Sequence, residues 1–143
     1  MFLKRHMQDG SANGYLLHSE FLTCFRARKS DELSAYFAPA GMMRVIDART
    51  GGVLEEANGR DGVRSLARSI HENVEFTGFE THRLRWIAGG VLYGWTATVR
   101  NWGFGPARAA SGKVRLEFSG GSIRCADFRL DPDLWFELIR PRA

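Results

Sequence analysis

The spacing of apolar residues changes after Val74, and this change limits the possible folds more than any other feature of the sequence. Upstream of it, apolar side chains recur at helical spacing, as Leu17, Phe21 and Phe25 do, which is typical of amphipathic helices. Downstream of it, segments alternate apolar and polar side chains with a period of two, which is typical of strands with one buried face. This order predicts an α+β domain in which helices pack into a strongly curved, mostly antiparallel sheet.

The same patterns predict the individual elements. Helices are expected at about residues 15–28, 31–37 and 61–74, and strands at about 42–48, 79–87, 91–100, 109–118 and 122–130. Glycine pairs at 89–90 and 120–121 predict short hairpin turns. The last apolar segment, residues 130–139, is expected to cap the sheet as a turn or short helix, with Trp135 and Leu138 packed against it.

Length and composition exclude several classes of protein. The chain has 143 residues, of which 44% are hydrophobic and 25% charged, so it fits a single globular domain. We assign residues 14–143 to that domain and residues 1–13 to a flexible N-terminal tail. No apolar run approaches the roughly 20 residues that cross a bilayer, which excludes membrane-spanning helices. The net charge of +4 is spread along the chain, and this spread makes nucleic-acid binding an unfavoured interpretation.

Cysteines, histidines and glycines form no cofactor motif. Cys24 and Cys125 lie about a hundred residues apart without CxxC spacing, as expected for reduced thiols of a cytoplasmic protein. The four histidines, His6, His18, His71 and His82, lack the spacing of metal ligands, and the glycine-rich segments lack the nucleotide-binding pattern. The sequence therefore predicts neither a metal nor a cofactor.

The order of elements and several segments carry a resemblance to a known family. These segments are FLTCFRARKSDELSAYFAPAGMMRVID, GRDGVRSLARSI, THRLRWIAGGVLYGWTATVR, KVRLEFSGGSIR and a closing LDP. Over about residues 15–138 the chain resembles the nuclear transport factor 2-like superfamily, especially its SnoaL-like and ketosteroid-isomerase-like branches. The resemblance implies a cone-shaped α+β barrel with a deep pocket, and often a dimer through the outer sheet face. Members include isomerases, cyclases, dehydratases and epoxide hydrolases as well as proteins without known catalysis.

Asp47 is the main candidate for a catalytic base. Strand alternation places it on one face with Met43 and Val45, and the resemblance implies a catalytic aspartate on this strand. A carboxylate beside two apolar side chains would be partly desolvated and suited to accept a proton. A second interpretation stays open, in which Asp47 ends the strand and pairs with Arg44, Arg49 or a nearby turn amide.

Proton abstraction beside a carbonyl also needs hydrogen-bond donors for the developing oxyanion. The resemblance implies a tyrosine on the first helix and a protonated acid on a later strand, but Phe21 and Val114 occupy these positions. Steroid isomerisation is therefore not expected. His18 and Tyr93 are the other candidate catalytic residues, because either could supply a donor from a different position.

The cone is expected to bind a small apolar or aromatic molecule. The residues predicted to line it are Phe21, Phe25, Met43, Val45, His82, Trp86, Trp95, Phe118 and Phe128. Asp127 is out of phase with the apolar residues of the last strand, so it is predicted to be an outward-facing surface acid.

Two functions follow from these observations. The first is a small-molecule pocket domain that acts as an acid–base isomerase, cyclase or lyase with Asp47 as the base. The alternative is a non-catalytic ligand-binding or protein-interaction module of the same fold. In both cases a homodimer is expected through the outer sheet face, where Leu92, Thr96 and Thr98 lie among long arginine side chains.

Overall fold

The structure is a computed structural model that describes residues 13–102 and 104–139. The tail predicted at residues 1–13 lies outside this part of the chain, apart from Asn13, which begins the first helix. The described residues form four helices and one six-stranded sheet. The helices are α1 (Asn13–Arg26), α2 (Ser30–Ala35), α3 (Gly59–Asn73) and α4 (Pro132–Leu138).

Local sequence explains where the two best-defined helices lie. In α3, Val63, Leu66, Ala67 and Ile70 form the apolar stripe that the spacing predicted, and all four are buried. At the start of α4 the side chain of Asp131 accepts hydrogen bonds from two backbone N–H groups of the first turn, with a proline as the first helical residue. The closing segment is therefore a short helix. None of the helices in the described ranges is long and apolar enough to cross a membrane.

The sheet is mostly antiparallel, as expected. Its strands are β1 (Phe37–Asp47), β2 (Val53–Asn58), β3 (Val74–Ile87), β4 (Gly90–Asn101), β5 (Phe104–Ser119) and β6 (Ser122–Leu130). They are arranged in the order β2-β1-β6-β5-β4-β3, and β1 with β6 is the parallel pair. The strand β2 was not predicted, because it is a short edge strand with mostly exposed side chains and no clear alternation.

One face of the sheet, which we call the inner face, is covered by helices and forms the core. Val45, Phe128, Val114 and Tyr93 lie opposite one another across β1, β6, β5 and β4 on this face. They pack in one apolar cluster with residues of α1, α3 and α4. The opposite, outer face carries the alternate residues of each strand. This arrangement is the predicted α+β fold with helices packed into a curved sheet.

Candidate ligand-binding site

A small cavity lies between the helices and the inner face. Its volume is about 40 Å³, which is enough for one or two water molecules. Its walls are apolar and consist of Phe25, Val45, Ile70, Val74, Phe76, Phe79, Trp95, Phe128, Leu130, Trp135 and Leu138. The deep pocket implied by the family resemblance is thus largely filled by aromatic side chains.

Four of the nine predicted lining residues border this cavity, namely Phe25, Val45, Trp95 and Phe128. Phe21 and Met43 are fully buried in the same core, and Phe118 is half-buried against it. The structure therefore brings seven of the nine residues into or against one apolar cluster.

His82 and Trp86 are not brought into the cavity. The pairing of β3 with β4 shifts between His82 and Arg85, and this bulge changes which residues face inward. His82 lies opposite Gly94 on the outer face, and Trp86 is 38% exposed. The sequence pattern placed His82 inside because a bulge leaves no signal in the alternation of apolar residues. Trp86 does lie opposite Val91, a residue of the inner face, but near the end of β3 and outside the cavity.

Asp47 lies at the end of β1, where its carboxylate caps a turn. Oδ1 accepts hydrogen bonds from the backbone N–H of Arg49 at 2.7 Å and of Thr50 at 3.3 Å. The backbone N–H of Asp47 donates to the carbonyl of Gly52 at 2.8 Å. Asp47 is half-buried and is not among the residues that border the cavity. The geometry corresponds to the second interpretation of this residue, a strand-end acid bound to turn amides.

His18 and Tyr93 are brought together beside the core. The ring centroids are 4.6 Å apart and the rings are tilted by 57°. His18 on α1 is 5% exposed and Tyr93 on β4 is 1% exposed. Neither His18 Nδ1 nor the Tyr93 hydroxyl has a hydrogen-bond partner among the described residues. Buried polar atoms without partners are uncommon in proteins and mark places where a ligand or water is expected.

Burial fixes the protonation of both groups. Desolvation lowers the pKa of His18, and the charge of Arg26 lowers it further, so the imidazole is neutral near pH 7. Desolvation also raises the pKa of Tyr93 well above its usual value. The pair therefore offers a neutral imidazole that can accept a proton beside a neutral phenol that can donate a hydrogen bond.

Two tryptophans on the cavity wall also carry buried polar atoms without a partner in the described part of the chain. These are the indole Nε1 atoms of Trp95 and Trp135. Trp95 stacks on Phe79 with centroids 5.6 Å apart and lies two residues along β4 from Tyr93 on the same face. Polar atoms without partners thus extend from the His18–Tyr93 pair to the cavity wall.

Asp127 faces outward as predicted, but it is not a surface acid. Only 9% of the residue is exposed, because Arg44 covers it with two hydrogen bonds of 2.7 and 2.8 Å. Burial alone would raise the pKa of Asp127, but hydrogen bonds from Arg44 and Cys125 and the positive charges of Arg44 and Arg115 bring that pKa below its usual value. Asp127 is therefore a structural acid of the outer face.

A second buried histidine was missed by the sequence analysis. Ser30 Oγ lies 2.8 Å from His71 Nδ1 and connects α2 to α3. Desolvation and the charge of Arg28 lower the pKa of His71 to about 4. The two residues are 41 positions apart, and no local pattern could pair them. Over the described ranges, no group of His, Cys, Asp and Glu could hold a metal ion.

Comparison with solved structures identifies the fold. A nuclear transport factor 2-like protein of unknown function from Burkholderia pseudomallei matches with a TM-score of 0.70 and 17% identity, covering 90% of this chain and 98% of that one. A putative polyketide cyclase from Xanthomonas campestris matches at 0.68 and 10% identity, covering 90% and 97%. A hypothetical protein with a ketosteroid isomerase-like fold from Catenulispora acidiphila, solved in complex with trimethylamine, matches at 0.67 and 13% identity, covering 81% and 85%.

The protein thus has the nuclear transport factor 2-like fold, and the resemblance found in the sequence is confirmed at this level. No protein-family model matches the sequence, and no curated protein matches it. Because sequence identity to the solved structures is low, the likeness defines the fold and not the activity.

Proposed function

We propose that the protein binds a small, mostly apolar molecule between α1 and the inner face of the sheet, and that His18 and Tyr93 hold its one polar group. The observation that carries this proposal is the buried pair of polar atoms that have no partner among the described residues, with Tyr93 two residues along β4 from Trp95 on the cavity wall. The Tyr93 hydroxyl would donate a hydrogen bond to a ligand carbonyl or hydroxyl oxygen, and a ligand hydroxyl would donate one to His18 Nδ1, which removes the cost of burying these atoms unpaired.

The ligand has to be small or has to displace aromatic side chains. The cavity of about 40 Å³ is smaller than the roughly 150 Å³ that accommodates benzene. The rings of Phe25, Phe76 and Phe79 border the cavity and pack on one another at centroid distances of 5.3 to 6.2 Å. Their rotation would enlarge the cavity without a change in strand pairing. The trimethylamine complex of one structure with the same fold supports a ligand of modest size.

Acetophenone and ethylbenzene test the proposal because they share a ring and differ in a carbonyl. We expect both to bind, as measured by tryptophan fluorescence and ligand-observed NMR. Tyr93→Phe should weaken acetophenone about three- to tenfold, the effect of one net hydrogen bond, and should leave ethylbenzene unchanged. Tyr36→Phe is the matched control, because the Tyr36 hydroxyl bonds Glu20 on the surface. Equal weakening of both probes, or no binding of either, would contradict the proposal.

Acid–base catalysis on the bound molecule is a second candidate function. It is favoured by the neutral imidazole of His18, whose Nδ1 has no hydrogen-bond partner among the described residues and can accept a proton near the Tyr93 phenol. Asp47, the base predicted from the sequence, is instead engaged by two turn amides. Structures of the same fold include a putative polyketide cyclase and a putative isomerase, and these support an enzyme over a non-catalytic module.

Deuterium exchange at the methyl group of acetophenone separates the two bases. If His18 is the base, His18→Gln should abolish the protein-catalysed exchange and Asp47→Asn should retain it. The reverse result would restore Asp47 as the base. Binding of acetophenone without any exchange above buffer would assign the protein to the non-catalytic alternative.

A further inference from the structure

A groove on the outer face is bordered by positive charges that have no partner among the described residues. It has a volume of about 780 Å³ and is bordered by Arg83, Arg85, Lys113 and Arg129, with His82 beside them. All five side chains are exposed. Every other arginine and lysine in residues 13–102 and 104–139 makes an ion pair, a hydrogen bond or a ring contact. The unpaired cations of the described chain therefore converge on one place.

Strand register explains how the charges come together. Arg129 lies opposite Lys113, Lys113 lies opposite Gly94, and Gly94 lies opposite His82. Because neighbouring strands are about 4.8 Å apart, these residues form one row across four strands. Like charges directly opposite each other destabilise a sheet. Lys113 and Arg129 are such a pair of like charges, because they lie directly opposite each other on β5 and β6.

The backbone conformation of β3 brings further positive charge to the same row of residues. Arg83 has a φ of 56°, which is unfavourable for a residue with a side chain. It lies in the bulge between His82 and Arg85. In a regular strand His82 and Arg83 would point to opposite faces, whereas here His82, Arg83 and Arg85 all border the groove. A strained backbone position thus brings additional charge to this site.

The remaining groups that border the groove do not neutralise it. Thr96 and Ser111 supply hydroxyl groups that can donate hydrogen bonds. Asp131 is the one carboxylate among the described residues that border the groove. Its oxygens are bound by Arg49 at 3.0 Å and by the backbone N–H of Asp133 at 2.8 Å. The groove therefore has a clear excess of positive charge.

We propose that this groove binds a small ligand that carries two or more phosphoryl groups. Guanidinium groups match phosphate oxygens in pairs, and lysine adds a point charge. Each phosphoryl group carries a charge of about −1.5 to −2 at pH 7, so two of them balance the four cations. The volume of the groove falls in the range of sites for small organic ligands, about 300 to 1,000 Å³. The cations of the groove lie on the outer face, although Trp95 and Leu130 border both the groove and the apolar cavity. The proposal does not depend on the function proposed for that cavity.

Titration calorimetry with sodium tripolyphosphate in low-salt buffer tests the site. We expect the protein to bind tripolyphosphate, and Lys113→Gln and Arg129→Gln to weaken binding about tenfold each. Arg108→Gln is the matched control, because Arg108 also lies on β5 and is paired with Glu137 at 2.8 Å. It removes the same charge and should change the affinity less than about twofold. Since Lys113→Gln relieves a like-charge pair, that variant should unfold at an equal or higher urea concentration than the wild type.

Three results would overturn the proposal. The first is an absence of tripolyphosphate binding at low salt. The second is a loss in Arg108→Gln equal to that in Arg129→Gln, because diffuse net charge would then explain the binding. The third is a short single-stranded oligonucleotide that binds more tightly than tripolyphosphate and loses affinity in Lys113→Gln and Arg129→Gln but not in Arg108→Gln, which would assign the surface to nucleic acid.

Discussion

Arg44 and Asp127 join the parallel pair of strands β1 and β6 through two side-chain hydrogen bonds of 2.7 and 2.8 Å. The side chains are 31% and 12% exposed, so water screens the pair only partly. Because removal of one partner leaves the other charge buried without compensation, we expect Asp127→Asn to lower the free energy of unfolding by about 1 to 3 kcal/mol at pH 7. Urea unfolding followed by circular dichroism measures this.

The Arg44–Asp127 pair also makes the free energy of unfolding depend on pH in the acid range. The folded-state pKa of Asp127 lies below its usual value, so its contribution to stability is present above the unfolded-state pKa near 3.9 and is lost as the pH falls through the folded-state pKa. The difference between wild type and Asp127→Asn should therefore shrink below about pH 4. Asp61→Asn is the control, because the Asp61 side chain is 95% exposed and its ion pair with Arg64 lies on the surface, so it should cause a smaller change than Asp127→Asn. A gap that is equally large at pH 3 and pH 7 would contradict this account.

Gly112 leaves room for the Trp95 indole. A methyl group at position 112 would come within 2.5 Å of the Arg129 carbonyl oxygen and 2.7 Å of Trp95 Nε1. Since the carbonyl belongs to a paired strand and cannot move freely, Gly112→Ala should destabilise the protein by about 1 to 3 kcal/mol and shift the tryptophan fluorescence.

Gly94→Ala is the matched substitution on the neighbouring strand. Its methyl group would also come within 2.5 Å of another residue, the His82 ring, but His82 is exposed and can rotate away. We therefore expect a smaller loss of stability than for Gly112→Ala and no change in fluorescence. A larger loss in Gly94→Ala would mean that His82 is held in place.

The sequence predicted those features of the fold that depend on local pattern. The apolar stripe of α3 and the glycine hairpins were found because each produces a periodic or a turn signal within a few residues. The left-handed φ values of Gly89, Gly120 and Gly121 confirm that these turns use glycine.

The site was only partly predictable. The residues on the inner face that follow regular alternation, such as Val45 and Trp95, were placed correctly. His82 was misplaced because the β3 bulge reverses the phase, and Ser30 with His71 was missed because the contact joins two helices. The polarity of Asp127 indicated the outer face, but its burial depends on Arg44 from another strand. Features that arise from bulges, or from contacts between residues distant in sequence, therefore could not be predicted from the sequence and are seen only in the structure.

The homodimer predicted from the sequence would use the outer face and would compete with a ligand in the groove. Thr96 and Thr98 are exposed and Leu92 is half-buried, so this surface is available for association. Near a two-fold axis, Lys113 and Arg129 would approach the same groups of the second copy. We therefore expect the dimer to strengthen with salt, and light scattering to return twice the chain mass of 16.1 kDa at high salt.

One added charge tests this interface. Thr96→Lys should convert the dimer into a monomer, whereas Thr23→Lys, on the exposed face of α1, should not. A monomer mass for the wild type at both low and high salt would contradict the prediction.

His71 makes folding stability depend on pH near neutrality. Desolvation and the charge of Arg28 lower the pKa of His71 to about 4, whereas the unfolded chain has the ordinary value near 6.5. The unfolded state therefore binds the proton more readily, and the free energy of unfolding falls as the pH drops from about 6.5 to about 4.

Between pH 7 and pH 5 we expect the free energy of unfolding to fall by up to about 2 kcal/mol because of His71. His71→Gln should remove the part of the loss that His71 causes and leave the part that the lowered pKa of His18 causes. His82→Gln, which changes an exposed histidine, should retain the full loss. Urea titrations of the three proteins at pH 7 and pH 5 measure the effect, and a wild type equally stable at both pH values would show that His71 can be protonated in the folded state without cost.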